Sequence, residues 1–347
     1  MRKILSVLAV VLLVPVAAGA VSESVTPWLL FSMGARASGM GGAHITEASG
    51  ADGVYWNPAN LGYIRGPSLT GMHFAPVPDL TDDVYFEYAS YAKWMEGIGG
   101  VGGNIMFLTY GTSEATDASG IRLREFTSWE MGIGGGWGTE ISSHFAAGAG
   151  AKILLSYLSP EIGELEEGQG ITWAIDMGVH GHDLGPWGLR WALAIQNMGP
   201  ALKFVDNGSP NPLPLNFRMG LGVTPFENDV HRISVVADVN KVLVRQRGGT
   251  GTEEFSVDPA WKALFTAWTD ESLSDEFKDI IYNYGMEYSF ADFVFLRAGW
   301  VHDQTGDITD YTYGIGVSYA SARIDFAGYP QATGLDDVKR FSLSYEF

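Results

Sequence analysis

The sequence has no cysteine, few charges and, after residue 20, no long apolar run. The absence of cysteine excludes disulfides, a lipidated N-terminal cysteine and thiolate chemistry. No later stretch approaches the roughly 18 consecutive apolar residues that a helical membrane span requires, so a helical membrane protein is excluded. Charged residues make up only 18%, and 21 Lys and Arg against 40 Asp and Glu give a net charge of -19. Because phosphate binding requires a basic face, nucleic acid is excluded as a partner.

The N-terminus has the three parts of a secretory signal. Arg2 and Lys3 form a basic start, and an apolar run from Ile4 to about Ala18 follows. The end of the run, Ala18-Gly19-Ala20, matches a small-residue cleavage site. The sequence therefore predicts an exported protein with a cleaved signal peptide over residues 1–20.

Period-two alternation dominates the chain from Ser68 onward. In the last segment, Phe341, Leu343, Tyr345 and Phe347 fall on one face of an extended strand and small or charged residues on the other. An edge strand of a soluble β-protein would alternate in the same way, so this segment alone does not decide the fold. Glycine at 45 residues, with 18 Phe, 15 Tyr and 11 Trp, is typical of a transmembrane barrel with aromatic girdles.

The spacing of these segments indicates how they are connected. About fourteen strands are predicted, near residues 67–74, 83–94, 98–110, 125–137, 143–157, 170–181, 187–197, 213–223, 230–239, 280–290, 292–301, 310–320, 321–329 and 338–347. Short and long links alternate between them, as short periplasmic turns and long outer loops do. The fold class is therefore all-β, a roughly 14-stranded transmembrane outer-membrane barrel over residues 66–347. We expect its last strand to pair with the first, with Tyr345 and Phe347 as an assembly signal.

Residues 21–65 lack this alternation and predict a compact N-terminal hatch, or plug. A glycine-rich patch over residues 34–43 contains Gly39 and Gly41, and Asn57, Pro58 and Ala59 form a turn-prone motif. The glycine patch is not a dinucleotide-binding loop, because no strand precedes it and the G-x-G-x-x-G spacing is absent.

The longest link, residues 241–279, contains a predicted helix near residues 259–269. Asp258 followed by a proline is a good N-cap and first turn. Trp261, Leu264, Phe265 and Trp268 recur at i, i+3, i+4 and i+7, which is typical of an amphipathic helix. Two interpretations stay open: a lid whose aromatic face packs on the barrel mouth, or an exposed aromatic patch that binds a partner or ligand.

Ionisable residues of the strands are predicted to face the lumen, because a charge on the lipid face costs about 2–4 kcal/mol at the midplane. They are Glu87, Lys93, Lys152, Asp176, Arg190, Arg218, Glu287, Arg297, Arg323 and Asp325. Salt bridges that fill the interior are favoured over a substrate path. No hydrolase, metalloprotease or P-loop motif is present, and only His180 and His182 share a strand face. The sequence therefore predicts no catalytic site, no metal site and no cofactor.

The signal, the hatch motif and the strand count together resemble the FadL-like outer-membrane barrels, and within that group the PorV family of the type IX secretion system. The segments that carry the resemblance begin at Trp56-Asn57-Pro58-Ala59, Thr116-Asp117 with Gly120, Asn197-Met198-Gly199-Pro200, Asp238-Val239-Asn240-Lys241, Asp258-Pro259-Ala260-Trp261, Gly285-Met286-Glu287-Tyr288, Leu296-Arg297-Ala298-Gly299 and Arg340-Phe341-Ser342-Leu343. Asn60 departs from the lysine often found after the motif.

The resemblance implies a non-enzymatic protein that accepts secreted cargo from the translocon. It would bind the cargo C-terminal domain and carry it to a surface attachment complex. Membrane lipid surrounds such a barrel. The alternative is a FadL-like transporter of hydrophobic small molecules, for which we expect an apolar pocket continuous with the hatch or a lateral opening. An outer-membrane enzyme is the third class, and no residue pattern supports it.

Overall fold

A computed structural model describes residues 24–116, 122–161, 167–185, 187–204, 210–247, 256–269, 272–331 and 336–347. The predicted signal peptide, Asp117 and Gly120 lie outside these ranges. The strands are β1 Ser68–Phe74, β2 Val84–Met95, β3 Gly99–Thr116, β4 Arg122–Ser142, β5 Phe145–Ser159, β6 Gly168–Leu184, β7 Leu189–Met198, β8 Asn216–Glu227, β9 His231–Val242, β10 Gln246–Arg247, β11 Ser256–Val257, β12 Ile280–Phe290, β13 Val294–Asp303, β14 Ile308–Tyr319, β15 Ala322–Tyr329 and β16 Val338–Glu346.

Fourteen of these strands close into one antiparallel barrel, which confirms the predicted fold class. β1 pairs along its whole length with β16, from Ser68 opposite Glu346 to Phe74 opposite Arg340. β10 and β11 form a separate two-stranded ribbon within the long loop between β9 and β12. Because every barrel strand has two neighbours, the sheet has no open edge through the region of closure.

The alternation of β16 has the predicted direction. Phe341 and Leu343 are each 52% exposed on the outer wall, whereas Arg340 and Ser342 are buried inside. Tyr345 and Phe347 contact each other edge to face at the short-turn end, with ring centroids 4.7 Å apart. The exposed face of this strand is therefore the apolar one, as a bilayer requires.

Two strands are longer than the sequence predicts. β3 continues to Thr116 and β4 begins at Arg122, so most of the link expected over residues 111–124 is strand. The outer ends of β3 and β4, near Thr116 and Arg122, carry charged side chains, including an ion pair of 2.7 Å between Arg122 and Glu114. Alternation of apolar and polar residues does not mark a strand that has water on both faces, which explains the error.

Residues 24–65, called the hatch below, lie inside the barrel. Their helical turns are Pro27–Leu30, Ala35–Gly39, Gly50–Asp52, Gly53–Trp56 and Pro58–Tyr63. The Val25 amide donates to the carbonyl of Pro212 near the long loops (3.0 Å), and Arg65 donates to Glu140 near the short turns (2.5 Å). The hatch therefore spans the lumen from one end to the other. No helix among the described residues combines the length and hydropathy of a membrane span.

Candidate functional site

The Asn-Pro-Ala motif fastens the hatch to the barrel wall. Asn57 caps the turn Pro58–Tyr63, because its side-chain oxygen accepts from the Ala59 amide at 3.0 Å. Its side-chain nitrogen donates to the carbonyl of Val179 on β6 at 3.1 Å. Pro58 occupies the first position of the turn, where its missing N–H costs nothing. One fully buried asparagine therefore ends the helical segment and attaches it to the wall.

Glycines of the wall allow this close approach. A Cβ built on Gly138 of β4 would overlap the carbonyl oxygen of Pro58, and one on Gly148 of β5 would overlap the Pro58 backbone. A Cβ on Gly100 of β3 would likewise overlap Leu61. The glycine content of β3, β4 and β5 thus makes room for the hatch backbone.

Gly39 and Gly41 lie at a second close contact, against β12–β14. Gly41 has φ +69°, and a Cβ there would lie 2.7 Å from the carbonyl oxygens of Tyr284 and Trp300. Its amide donates to the hydroxyl of Thr312 at 2.8 Å. A Cβ on Gly39 would come within 3.0 Å of Gly314. Both residues therefore serve backbone-to-backbone packing rather than ligand binding.

Buried ion pairs hold the hatch on the side of β12–β15. Arg36 of the hatch donates to Glu287 at 2.8 Å, and Arg297 donates to the same carboxylate at 2.6 Å. Arg297 also pairs with Asp325 at 2.9 Å. On the opposite side, Lys152 pairs with Asp176 at 2.8 Å. These inward-facing charges match the predicted filling by salt bridges.

The prediction that Glu87 and Lys93 face the lumen is wrong. Both are exposed on the outer wall, and the Glu87 carboxylate lies 2.8 Å from the His73 ring there. Their inward neighbours are aromatic because this side of the hatch presents apolar side chains. Phe86 of β2 packs edge to face on Phe31 of the hatch, with centroids 5.5 Å apart. On β2, the charged side chains therefore lie on the outer wall, because the inner face packs against an apolar part of the hatch.

Two titratable hatch residues lie close to each other near the short turns. Burial raises the pKa of the Asp52 carboxyl to about 6, although a hydrogen bond from Thr70 and the charge of Arg36 act in the opposite direction. Burial and then the Arg36 charge lower the pKa of His44 well below its ordinary value, so this ring is neutral. Asp52 lines a small polar cavity of about 150 Å³, 4.0 Å from the His44 ring nitrogen.

The histidines predicted to share a face pack around the hatch. The His180 ring donates to the side-chain oxygen of Asn60 at 2.7 Å, and the rings of His180 and His182 contact Tyr63. The described ranges contain no group of three His, Asp or Glu side chains arranged as metal ligands.

The loop helix lies on the outer wall of the barrel, which corrects the lid interpretation. The helix spans Ala260–Thr266, and Trp268 just after it packs on Phe217 with centroids 5.3 Å apart. Phe217 and its cross-strand neighbour Lys241 both point outward, because the preceding residues Asn216 and Asn240 are buried on the inner face, as is Arg218, which donates to the Gly42 carbonyl of the hatch. Lys241 is nevertheless only 4% exposed, since the helix Leu273–Lys278 covers it.

A buried cation holds this loop in place. The Lys241 ammonium pairs with Glu276, lies 3.8 Å from Asp279 and sits 5.8 Å from the centre of the Trp268 ring. Leu264 packs with Trp268 against the wall. Trp261 and Phe265 are 67% and 74% exposed, and Trp261 also borders the apolar cavity described next. The four predicted helix residues therefore divide into two that attach the helix and two that are available for contact.

An apolar cavity of about 530 Å³ lies between this loop and the β7–β8 loop. Proline and leucine residues form much of its wall, including Pro200, Pro212, Leu213 and Leu215. None of the sequence motifs described above predicts its position. The run Pro210-Asn211-Pro212-Leu213-Pro214 was the available signal, because prolines build rigid loops.

Three solved barrel structures share this fold, and each matches this chain over nearly the whole length of both proteins. They are the Ralstonia pickettii toluene transporter TbuX (13% identity, 91% of this chain and 98% of that one, TM-score 0.53), the Pseudomonas putida toluene transporter TodX (12%, 90% and 97%, 0.53) and the CymD monoaromatic hydrocarbon channel (11%, 90% and 96%, 0.54). Identities this low show a shared fold alone.

Sequence comparison is more specific. Proteins with curated descriptions give no match. The family model described as type IX secretion system protein PorV matches residues 17–247, two-thirds of the chain. That span includes the hatch with its Asn57 cap, the glycine-lined strands β3–β5 and the outward-facing Lys241. The chain therefore belongs to the PorV family of type IX secretion system proteins.

Proposed function

We propose that this protein is a non-enzymatic outer-membrane shuttle that binds type IX secretion cargo and carries it to the cell surface. The observation that carries the proposal is membership of the PorV family together with a lumen occupied by the hatch. Gly138 and Gly148 of the wall pack against the Pro58 backbone, so the hatch fills this part of the lumen. The outer loops are therefore the surface that we propose for cargo binding. Its partners would be the translocon, cargo C-terminal domains and the surface attachment complex.

The partner-binding residues that we propose are Trp261 and Phe265. Exposed aromatic side chains beside a rigid support are typical anchors at the centre of interfaces. Here the support is the contact of Leu264 and Trp268 with the wall. Truncation of such anchors commonly costs at least about 2 kcal/mol of binding.

The experiment is a deletion strain complemented with variants, in which surface-attached cargo is measured by protease accessibility on intact cells. We expect the Trp261→Ala, Phe265→Ala double variant to leave cargo in the periplasm, although the variant itself is present in the outer membrane in normal amount. Tyr311→Ala is the matched control, because Tyr311 is a 71% exposed aromatic residue on β14. Normal delivery in the deletion strain would refute the shuttle function. Normal delivery by the double variant alone would refute only the contact assignment.

Export and assembly belong to the same proposal. Cleavage after Ala20 would start the mature protein at Val21, which N-terminal sequencing of the membrane-inserted protein tests. We assign Tyr345 and Phe347, outward on the closing strand, to recognition during barrel insertion. Replacing both with alanine should lower the amount of inserted barrel.

A transporter of hydrophobic molecules is the second candidate, favoured by the apolar cavity of about 530 Å³. The cavity borders the apolar interior, because Leu213 of its lining packs in one cluster with Trp28 and Leu29 of the hatch. Uptake of a radiolabelled monoaromatic hydrocarbon by cells that express the protein is the test. Uptake no faster than in cells with the deletion would eliminate this candidate.

A further inference from the structure

The barrel wall has a notch at the loop end of β6. Pairing between β6 and β7 begins at Ile175 opposite Met198, although β6 continues seven residues further, to Gly168. Asn197 next to this point has φ +63°, and the register shifts there. The upper part of β6 is bordered by loop residues instead: Thr172 donates to the Pro200 carbonyl at 3.1 Å. An early end of one strand thus leaves a gap that a loop closes.

The cavity of about 530 Å³ lies in this gap, under the loop helix. Its lining is mostly apolar and includes Trp173, Ile175, Met198, Leu213, Leu243 and Val244. Among the described residues that line it, Asp258 is the one ionisable residue. Its carboxylate already accepts from the Lys262 ammonium at 2.8 Å and from the Thr266 hydroxyl at 3.1 Å. The lining therefore suits an occupant without charge or hydrogen-bonding groups.

The cavity is continuous with the bilayer-facing surface. Trp173 and Ile175 belong to the outward face of β6, and Trp173 is 55% exposed. Trp173 lies opposite Ile153 of β5, which is 51% exposed on the same face, and Ile171 next along β6 is 69% exposed. An alkyl chain moving along this wall from the lipid enters the cavity without crossing a polar surface.

We propose that this cavity binds an acyl chain of an outer-leaflet lipid and so fastens the loop of β10, β11 and the two loop helices to the membrane. A volume of about 530 Å³ falls within the range of roughly 300–1,000 Å³ typical of small-molecule sites. A protein partner would have to reach Trp173 and Ile175 from within the bilayer, whereas a lipid is already there. The inference does not depend on the shuttle function.

The test uses the full-length protein in phospholipid vesicles that contain a phosphatidylcholine with a diazirine in its acyl chain. After illumination, mass spectrometry maps the labelled peptides. We expect labelling of residues near Met198, Leu213 and Leu243, which lie inside the cavity. Ala260→Phe fills the cavity from a partly exposed helix position, and labelling there should fall about tenfold, equal to ~1.4 kcal/mol of affinity.

Two further variants separate binding from misfolding. Val244→Asn adds a polar group to the lining with little change in volume, and it should also lower labelling. Phe277→Ala, a 63% exposed position on the neighbouring loop helix outside the lining, should leave it unchanged. Heat-modifiable gel mobility confirms that each variant is a folded barrel. Cavity labelling that is no stronger than labelling of β14, or that Ala260→Phe and Val244→Asn leave unchanged, overturns the proposal. An unlabelled cavity together with loss of a secretion component from Ala260→Phe pull-downs identifies a protein occupant and also overturns it.

Discussion

Replacement of Asn57 by alanine tests whether the Asn-Pro-Ala motif holds the hatch in the barrel. The substitution removes a cap on the turn Pro58–Tyr63, worth about 1 kcal/mol. It also removes the bond to the Val179 carbonyl, worth about 1 kcal/mol. We expect hatch opening to become easier by about 2 kcal/mol, which corresponds to roughly 30-fold faster exchange of hatch amides.

The measurement is hydrogen–deuterium exchange with mass spectrometry on the barrel in detergent, followed over the peptide that contains residues 57–64. Asn57→Ser is the matched control, because serine also caps helical turns but is too short to reach Val179. It should lose only the second contribution and exchange roughly fivefold faster than wild type. The reasoning is refuted if Asn57→Ala exchanges at the wild-type rate, or if serine and alanine behave identically.

Two other predictions concern the same plug. Gly138→Val places a side chain where the Pro58 carbonyl lies, so the hatch should be displaced and planar-bilayer conductance should rise; Gly135→Val, which points outward on the same strand, should conduct like wild type. The pKa of Asp52 in the folded protein is raised to about 6 from an ordinary 3.8, so the closed hatch should be most stable below pH 4, where this carboxyl is protonated. The free energy of hatch opening should fall by about 3 kcal/mol as pH rises through 6. Asp52→Asn should remove the pH dependence of hatch exchange, and equal slopes in both proteins would contradict it.

The closing strand β16 was predictable because the alternation of its own residues specifies which side chains face outward. Alternation in β16 gives the outward face of Phe341 and the inward face of Arg340 without knowledge of any partner. The link lengths then gave the number of strands and the pairing of β1 with β16. Where the strands have water on both faces, as in the outer part of β3 and β4, alternation carries no signal, so the prediction ended β3 too early and began β4 too late.

Other features depend on contacts between distant segments. The rule that strand charges face inward failed for Glu87, because Phe31 of the hatch makes that part of the lumen apolar. The sequence shows glycine at 138 and 148, but only the fold shows that Pro58 lies against them. The same holds for the long loop: whether Trp268 covers the mouth or the outer wall depends on Phe217, and residue spacing does not specify that choice.

The barrel strands differ greatly in length, and this gives the molecule a direction. β3 and β4 have 18 and 21 residues, whereas β1, β15 and β16 have 7, 8 and 9. At about 3.3 Å per residue, the strands of one flank are roughly two and a half times as long as those of the other. The paired sheet is therefore short on the side of β1, β15 and β16 and tall on the side of β3 and β4, so a molecule that approaches along the membrane meets a different height of paired wall on each side.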